Sequence, residues 1–86
     1  MSVFNEIPDI LPDSWNNIRD LRLEMPTDYV LDFTKLPQNL HMLELVGYFN
    51  QKIENMPPTL HTLIFGDGFN QKIENMPPTL HSLQFG

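Results

Sequence analysis

The chain has 86 residues, no cysteine and a net charge of −6, with 19% charged and 41% hydrophobic residues. One domain is the ceiling at this length, and the missing thiols exclude a disulfide framework or a thiolate metal site. The acidic balance argues against nucleic acid and anionic membrane surfaces as partners, and no apolar run approaches the roughly 20 residues of a membrane span.

The charge is uneven. Met1 to Tyr48 carries eight acidic and three basic residues, against three and two from Phe49 to Gly86. The first ten residues lack the basic, apolar and small-residue succession of a secretory signal, so a cytoplasmic location is the expectation. In chain order, residues 1–17 read as a capping segment. Within it, Leu11-Pro12-Asp13-Ser14-Trp15 has the proline and acid of a helix start and predicts a short N-terminal helix ending near Ile18. Trp15, the single tryptophan, is suited to plug that end of a core.

From residue 18 onward one pattern recurs. Apolar residues stand at offsets 0, 3 and 5 in Ile18/Leu21/Leu23, Leu40/Leu43/Leu45, Leu60/Leu63/Phe65 and Leu80/Leu83/Phe85. Steps of 22, 20 and 20 residues separate the four occurrences. The last two units are near copies: Phe49–Gly66 and Phe69–Gly86 agree at 16 of 18 positions, differing at Thr62/Ser82 and Ile64/Gln84. A 20-residue period is too short for a unit that buries its own core, and it fits stacked solenoid coils. The alternation around Leu21–Leu23, Leu43–Leu45, Leu63–Phe65 and Leu83–Phe85 predicts four strands, each buried on one face. Stacked repeats would pair them in parallel, about 4.8 Å apart.

The return of each coil reads as irregular. Phe49, Ile53 and Met56 supply its apolar residues, repeated by Phe69, Ile73 and Met76, with Tyr29, Phe33 and Leu36 one coil earlier. Pro57-Pro58 and Pro77-Pro78 forbid helix and predict an extended approach to the next strand. Gly66-Asp67-Gly68 predicts a turn with positive φ.

Phe49-Asn50, Ile53, Pro57, Leu60, Leu63, Phe65 and Gly66, repeated twenty residues on, resemble the FNIP repeat, a family named for a Phe-Asn-x-x-Ile-x-x-x-Pro unit and related to leucine-rich repeats. The resemblance covers Phe49 to Gly86 closely, and Tyr29 to Tyr48 with Tyr29-Val30 in place of Phe-Asn. It implies a right-handed, leucine-rich-repeat-like α/β solenoid used for protein contacts, without catalytic residue or cofactor. The family is known chiefly from social amoebae and giant viruses of amoebae, which would place a viral member in the host cytoplasm. Viral members often carry an N-terminal F-box that recruits a ubiquitin ligase, and Phe4-Asn5-Glu6-Ile7-Pro8-Asp9-Ile10 resembles the opening of one. An F-box-type adaptor is therefore the alternative function, and a truncated repeat protein with little function of its own a third.

Other columns have structural explanations. Asn50 and Asn70 are placed to satisfy backbone groups between coils. His41, His61 and His81 line up at strand entry, and the repeat alone accounts for that alignment without a metal. Lys52 with Glu54 and Lys72 with Glu74 suggest exposed ion pairs. The candidate protein-binding residues are the outward strand positions Arg22, Met42, Glu44, Thr62, Ile64, Ser82 and Gln84, with exposed Met42 and Ile64 as anchors. Because Gly86 directly follows the last predicted strand, self-association through an uncapped C-terminal end is a further expectation.

Overall fold

Strand alternation in the sequence becomes a single parallel sheet. The computed structural model describes residues 2–26, 29–47, 49–71 and 76–85. Five strands lie in sequence order, β1 (Ser2–Phe4), β2 (Asp20–Glu24), β3 (Met42–Val46), β4 (Thr62–Phe65) and β5 (Ser82–Phe85), and every neighbouring pair is parallel. The four expected strands are present and one or two residues longer than the leucine pattern alone defined. Ser2–Phe4 adds a fifth, in a segment read only as a cap. The molecule is a small β-solenoid.

Register converts the repeat into rows. Leu21, Leu43, Leu63 and Leu83 stand side by side, as do Leu23, Leu45, Phe65 and Phe85. From β2 to β4 these inward positions are completely or almost completely buried. The returns contribute Leu31, Phe33, Leu36, Phe49 and Ile53 to the same core. Each fully buried aliphatic or aromatic side chain of this kind stabilises the fold by about 1.5–3 kcal/mol relative to exposure. Aromatic rings carry the core from coil to coil: Phe49 and Phe69 lie parallel with centroids 6.1 Å apart, and Phe65 stacks on Phe69 at 3.9 Å.

The expected N-terminal helix is not formed, and the solenoid lacks α/β character. Among the described residues there is no α-helix, only single 3-10 turns at Trp15–Asn17 and Phe33–Lys35. The Trp15, Asn17 and Ile18 amides donate to carbonyls three residues back (Pro12, Ser14 and Trp15). Ile18 is already extended, at φ −70° and ψ 125°, because β2 begins two residues later. The return has room for one tight turn and no more. That turn drives Trp15 inward as expected. It is 1% exposed, meets Phe4 edge-to-face at 5.3 Å and donates its indole Nε1–H to the Lys35 carbonyl at 2.9 Å.

The proline pairs also behave differently from expectation. Leu40, Leu60 and Leu80 donate their amides to the carbonyls of Pro37, Pro57 and Pro77, at 3.4, 3.2 and 3.1 Å. Each closes a β-turn rather than an extended approach. Pro58 and Pro78 hold the i+1 position, whose φ near −60° proline supplies in advance. At the opposite corner Gly47 and Gly68 take φ of +90° and +88°, so the expected positive-φ turn after β4 is present at Gly68. Gly66 serves a different need. A Cβ there would lie 2.6 Å from the Gly47 carbonyl oxygen, so the coils approach backbone to backbone.

Candidate functional site

With the inward rows buried, the alternate residues of each strand build a continuous outer face. Its central row runs Val3, Arg22, Glu44, Ile64, Gln84. A second row runs Asp20, Met42, Thr62, Ser82, and Glu24 pairs with Val46 on the other flank. All seven sequence-predicted contact residues lie on this one face. Val3, Asp20, Glu24 and Val46 join them. The last three belong to strand ends beyond the leucine triplet, and two-residue alternation from Arg22 and Glu44 would have reached them. Val3 had no such signal, since its strand carries no leucine.

Met42 and Ile64 are half-buried rather than fully exposed. Each is flanked by neighbours in register, Ile64 by Glu44 and Gln84 and Met42 by Asp20 and Thr62. Val3 is more open, at 53%.

Charge divides the face. Asp20, Arg22, Glu24 and Glu44 occupy β2 and β3, whereas β4 and β5 present neutral residues only. Arg22 Nε lies 3.3 Å from Glu24 Oε2. The pair meets the distance of an ion pair but is not aligned as a hydrogen bond, since Nε has no hydrogen-bond partner. Both side chains are at least 40% exposed, so the pair contributes at most about 1 kcal/mol. It is the single salt bridge among the described residues. Lys52 and Glu54 are exposed and do not form the expected pair, and Lys72 and Glu74 lie outside the described residues.

The polar columns belong to the scaffold. Asn50 Oδ1 accepts from the Asn70 amide at 2.8 Å and from Gln71 Nε2 at 3.1 Å, which is the inter-coil role expected of it. Sequence reasoning missed its companions. Gln51 accepts the Leu31 amide at 3.0 Å and donates to the Tyr29 carbonyl. The Thr59 and Thr79 hydroxyls donate to the Leu40 and Leu60 carbonyls, each at 2.8 Å. All reach back about one coil, so each satisfies a backbone group of its neighbour. His41, His61 and His81 stack with ring centroids 4.9 and 5.4 Å apart. Stacked imidazoles face one another across their planes rather than turning nitrogens toward a common point. Among the described residues no group of three His, Cys, Asp or Glu side chains is placed to hold a metal ion.

An open depression of about 390 Å³ lies beside the start of β1 and β2, lined by Ser2, Ser14, Asn17, Ile18, Arg19 and Asp20. Its lining brings together one cation, one acid, three small polar residues and Ile18.

Comparison with curated proteins and with solved structures finds no match. Comparison with family models finds the FNIP Repeat twice, over residues 31–68 and 49–86. These two stretches contain the strands β3, β4 and β5, the Phe49 and Phe69 ring stack and the Asn50 column. The chain is a repeat-type module and belongs to the FNIP repeat family.

Proposed function

We propose that the chain is a non-catalytic protein-interaction module that receives a partner protein on the outer face of its sheet. One observation carries this reading. The two near-identical coils differ at only two positions, Thr62/Ser82 and Ile64/Gln84, and both fall on the outer face, directly opposite each other across β4 and β5. The residues at inward positions and those that bond between coils are identical in the two copies, so difference in sequence between the coils is confined to the surface a partner would touch. That surface is a hydrogen-bonded sheet face that carries Val3, Met42, Val46 and Ile64 among its polar residues, which favours binding without a large ordering cost. The solenoid is taken to wind right-handed in the leucine-rich-repeat manner, as crossovers between parallel strands do.

The acidic balance, with −6 overall, supports a protein rather than a nucleic acid or an anionic membrane as partner, and a cytoplasmic setting belongs to the same reading. Among the described residues no helix is long and apolar enough to cross a membrane. An F-box-type adaptor role has less support, because the segment with the F-box-like opening supplies Ser2–Phe4 as β1 of the sheet.

The test is affinity capture from the source cell with the chain and with Ile64→Glu, after circular dichroism has shown that both are equally folded. Loss of one or more captured proteins with the variant is the expected result. Identical capture by Ile64→Glu and by Met42→Glu/Ile64→Glu would overturn the assignment of the face.

A further inference from the structure

Glu44 stands at the centre of the outer face. It shares the central row with Arg22 on β2 and Ile64 on β4, each about 4.8 Å away across the sheet. Alternation along β3 puts Met42 and Val46 on the same face, about 6.6 Å before and after it. One carboxylate thus has three apolar neighbours and one cationic neighbour on the face. Met42, Glu44, Val46 and Ile64 are all half-buried.

The cation is already engaged. Arg22 Nε lies 3.3 Å from Glu24 Oε2, and among the described residues no other ion pair forms. Glu44 therefore has no ion-pair partner among them. Asp20 lies beside Met42 in the adjoining row, exposed and likewise unpaired among the described residues. The face sets three carboxylates, Asp20, Glu24 and Glu44, against one guanidinium, all on β2 and β3. The outward residues of β4 and β5, Thr62, Ile64, Ser82 and Gln84, are neutral. The electrostatic complement of this face is a positive group placed over β2 and β3.

We infer that the partner protein meets this face with a lysine or arginine set beside an apolar residue, an inference that rests on the outer face being the contact surface. Lysine and arginine lay their methylene stems along apolar surface and carry the charge at the tip. Met42 and Val46 receive the stem and Glu44 the cation, with Asp20 adding to the attraction. The adjoining apolar residue of the partner lies over Ile64, on the uncharged half of the face. An acidic segment would bring like charge against three carboxylates, so the same arrangement rejects it. The net charge of −6 draws the same kind of partner at longer range.

Selection of binders to the whole chain from an unbiased library of short displayed peptides, followed by titration of the recovered peptides, tests it. The expected peptides are enriched in lysine or arginine beside an apolar residue, and their affinity falls as salt is raised. Glu44→Gln removes the charge at nearly constant volume. It should weaken binding by about fivefold and flatten the salt dependence, and Asp20→Asn should do the same to a smaller extent. Glu54→Gln, at an exposed acid on the return of coil 49–66, should change nothing. Peptides lost with Ile64→Lys yet free of basic enrichment, or unmoved by Glu44→Gln, would overturn the basic anchor and leave the contact face standing. Peptides unmoved by both Ile64→Lys and Glu44→Gln would put binding elsewhere and overturn the contact face as well. An equal loss with Glu54→Gln would reduce the effect to overall charge and overturn the anchor alone, as would recovery of no peptide. Should Glu44→Gln fail to fold, the composition of the peptides and their salt dependence on the unaltered chain decide.

Discussion

Leu63→Ala and Leu83→Ala make the same chemical change in two coils of nearly the same sequence, so any difference between them reports stacking. Leu63 is fully buried, with Leu43 on one side and Leu83 on the other. Truncation removes about three methyl or methylene groups, worth about 2.4 kcal/mol at 0.8 kcal/mol each. A residual cavity of about 50 Å³ adds about 1.2 kcal/mol at 24 cal/mol per Å³. The expected loss is therefore about 3–4 kcal/mol, a large part of the roughly 4–13 kcal/mol available to a chain of this length. Leu83 has a neighbour on one side only and is partly buried, and its site is open enough to leave no closed cavity. Its loss should be about 1–2 kcal/mol on the same area scale. Urea unfolding measures both. With m of about 1–1.5 kcal/mol per molar, the midpoints should fall by about 2–4 M for Leu63→Ala and about 1–2 M for Leu83→Ala. Equal shifts would refute the order of the coils and the one-sided burial of the last.

Trp15→Ala should cost about 3–5 kcal/mol by emptying the largest buried site of the first coil, read by the same urea titration, and Trp15→Phe should cost less but lose the bond to Lys35. Gly66→Ala should lower Tm by several degrees, since its Cβ would meet the Gly47 backbone at 2.6 and 2.9 Å, whereas Asp67→Ala beside it should be nearly silent. The Thr34 hydroxyl and then the Thr34 amide, both bonded to Asp32 Oδ1, hold the Asp32 carboxyl below its usual value, with Lys35 adding to them. A depressed carboxyl stabilises the fold above its unfolded pKa, and that contribution is lost as pH falls through the lower folded value. Asp32→Asn should accordingly flatten the stability profile below about pH 4 and leave its shape at neutral pH unchanged. Stoichiometric zinc should leave Tm where it is, because a site that binds the folded state would raise it.

The sheet was legible because leucine and phenylalanine at offsets 0, 3 and 5 state both the strand and its buried face. The outer face followed from the same alternation, which is why Arg22, Glu44, Ile64 and Gln84 fall in one row. β1 was not legible. Ser2-Val3-Phe4 has no leucine, and a long-range bond from the Ile7 amide to the Tyr29 hydroxyl, 3.0 Å, helps hold its coil against the next. The helix expected near Trp15 failed for a related reason, since local signals at Pro12 and Asp13 say nothing of how few residues remain before β2. Gln51 and Thr59 were passed over because polar residues repeated in the last two coils look like solvated surface until the neighbouring carbonyls are in place.

Near-identity of two coils has a consequence for how the chain reaches this state. β3 presents one edge, and either coil 49–66 or coil 69–85 can dock on it first with nearly the same side chains. Docking of the later coil leaves the earlier one as a loop of about 20 residues, whose closure costs only about 2.7 kcal/mol by the logarithmic length law. The two outcomes differ locally by Thr62 against Ser82 and Ile64 against Gln84, so contact energy at β3 scarcely tells them apart. What favours the native arrangement is the second coil interface, which the misdocked chain forgoes. Refolding should therefore include a fraction of molecules that must undock a well-paired strand before they can complete the stack, a form of frustration written into the repeat itself.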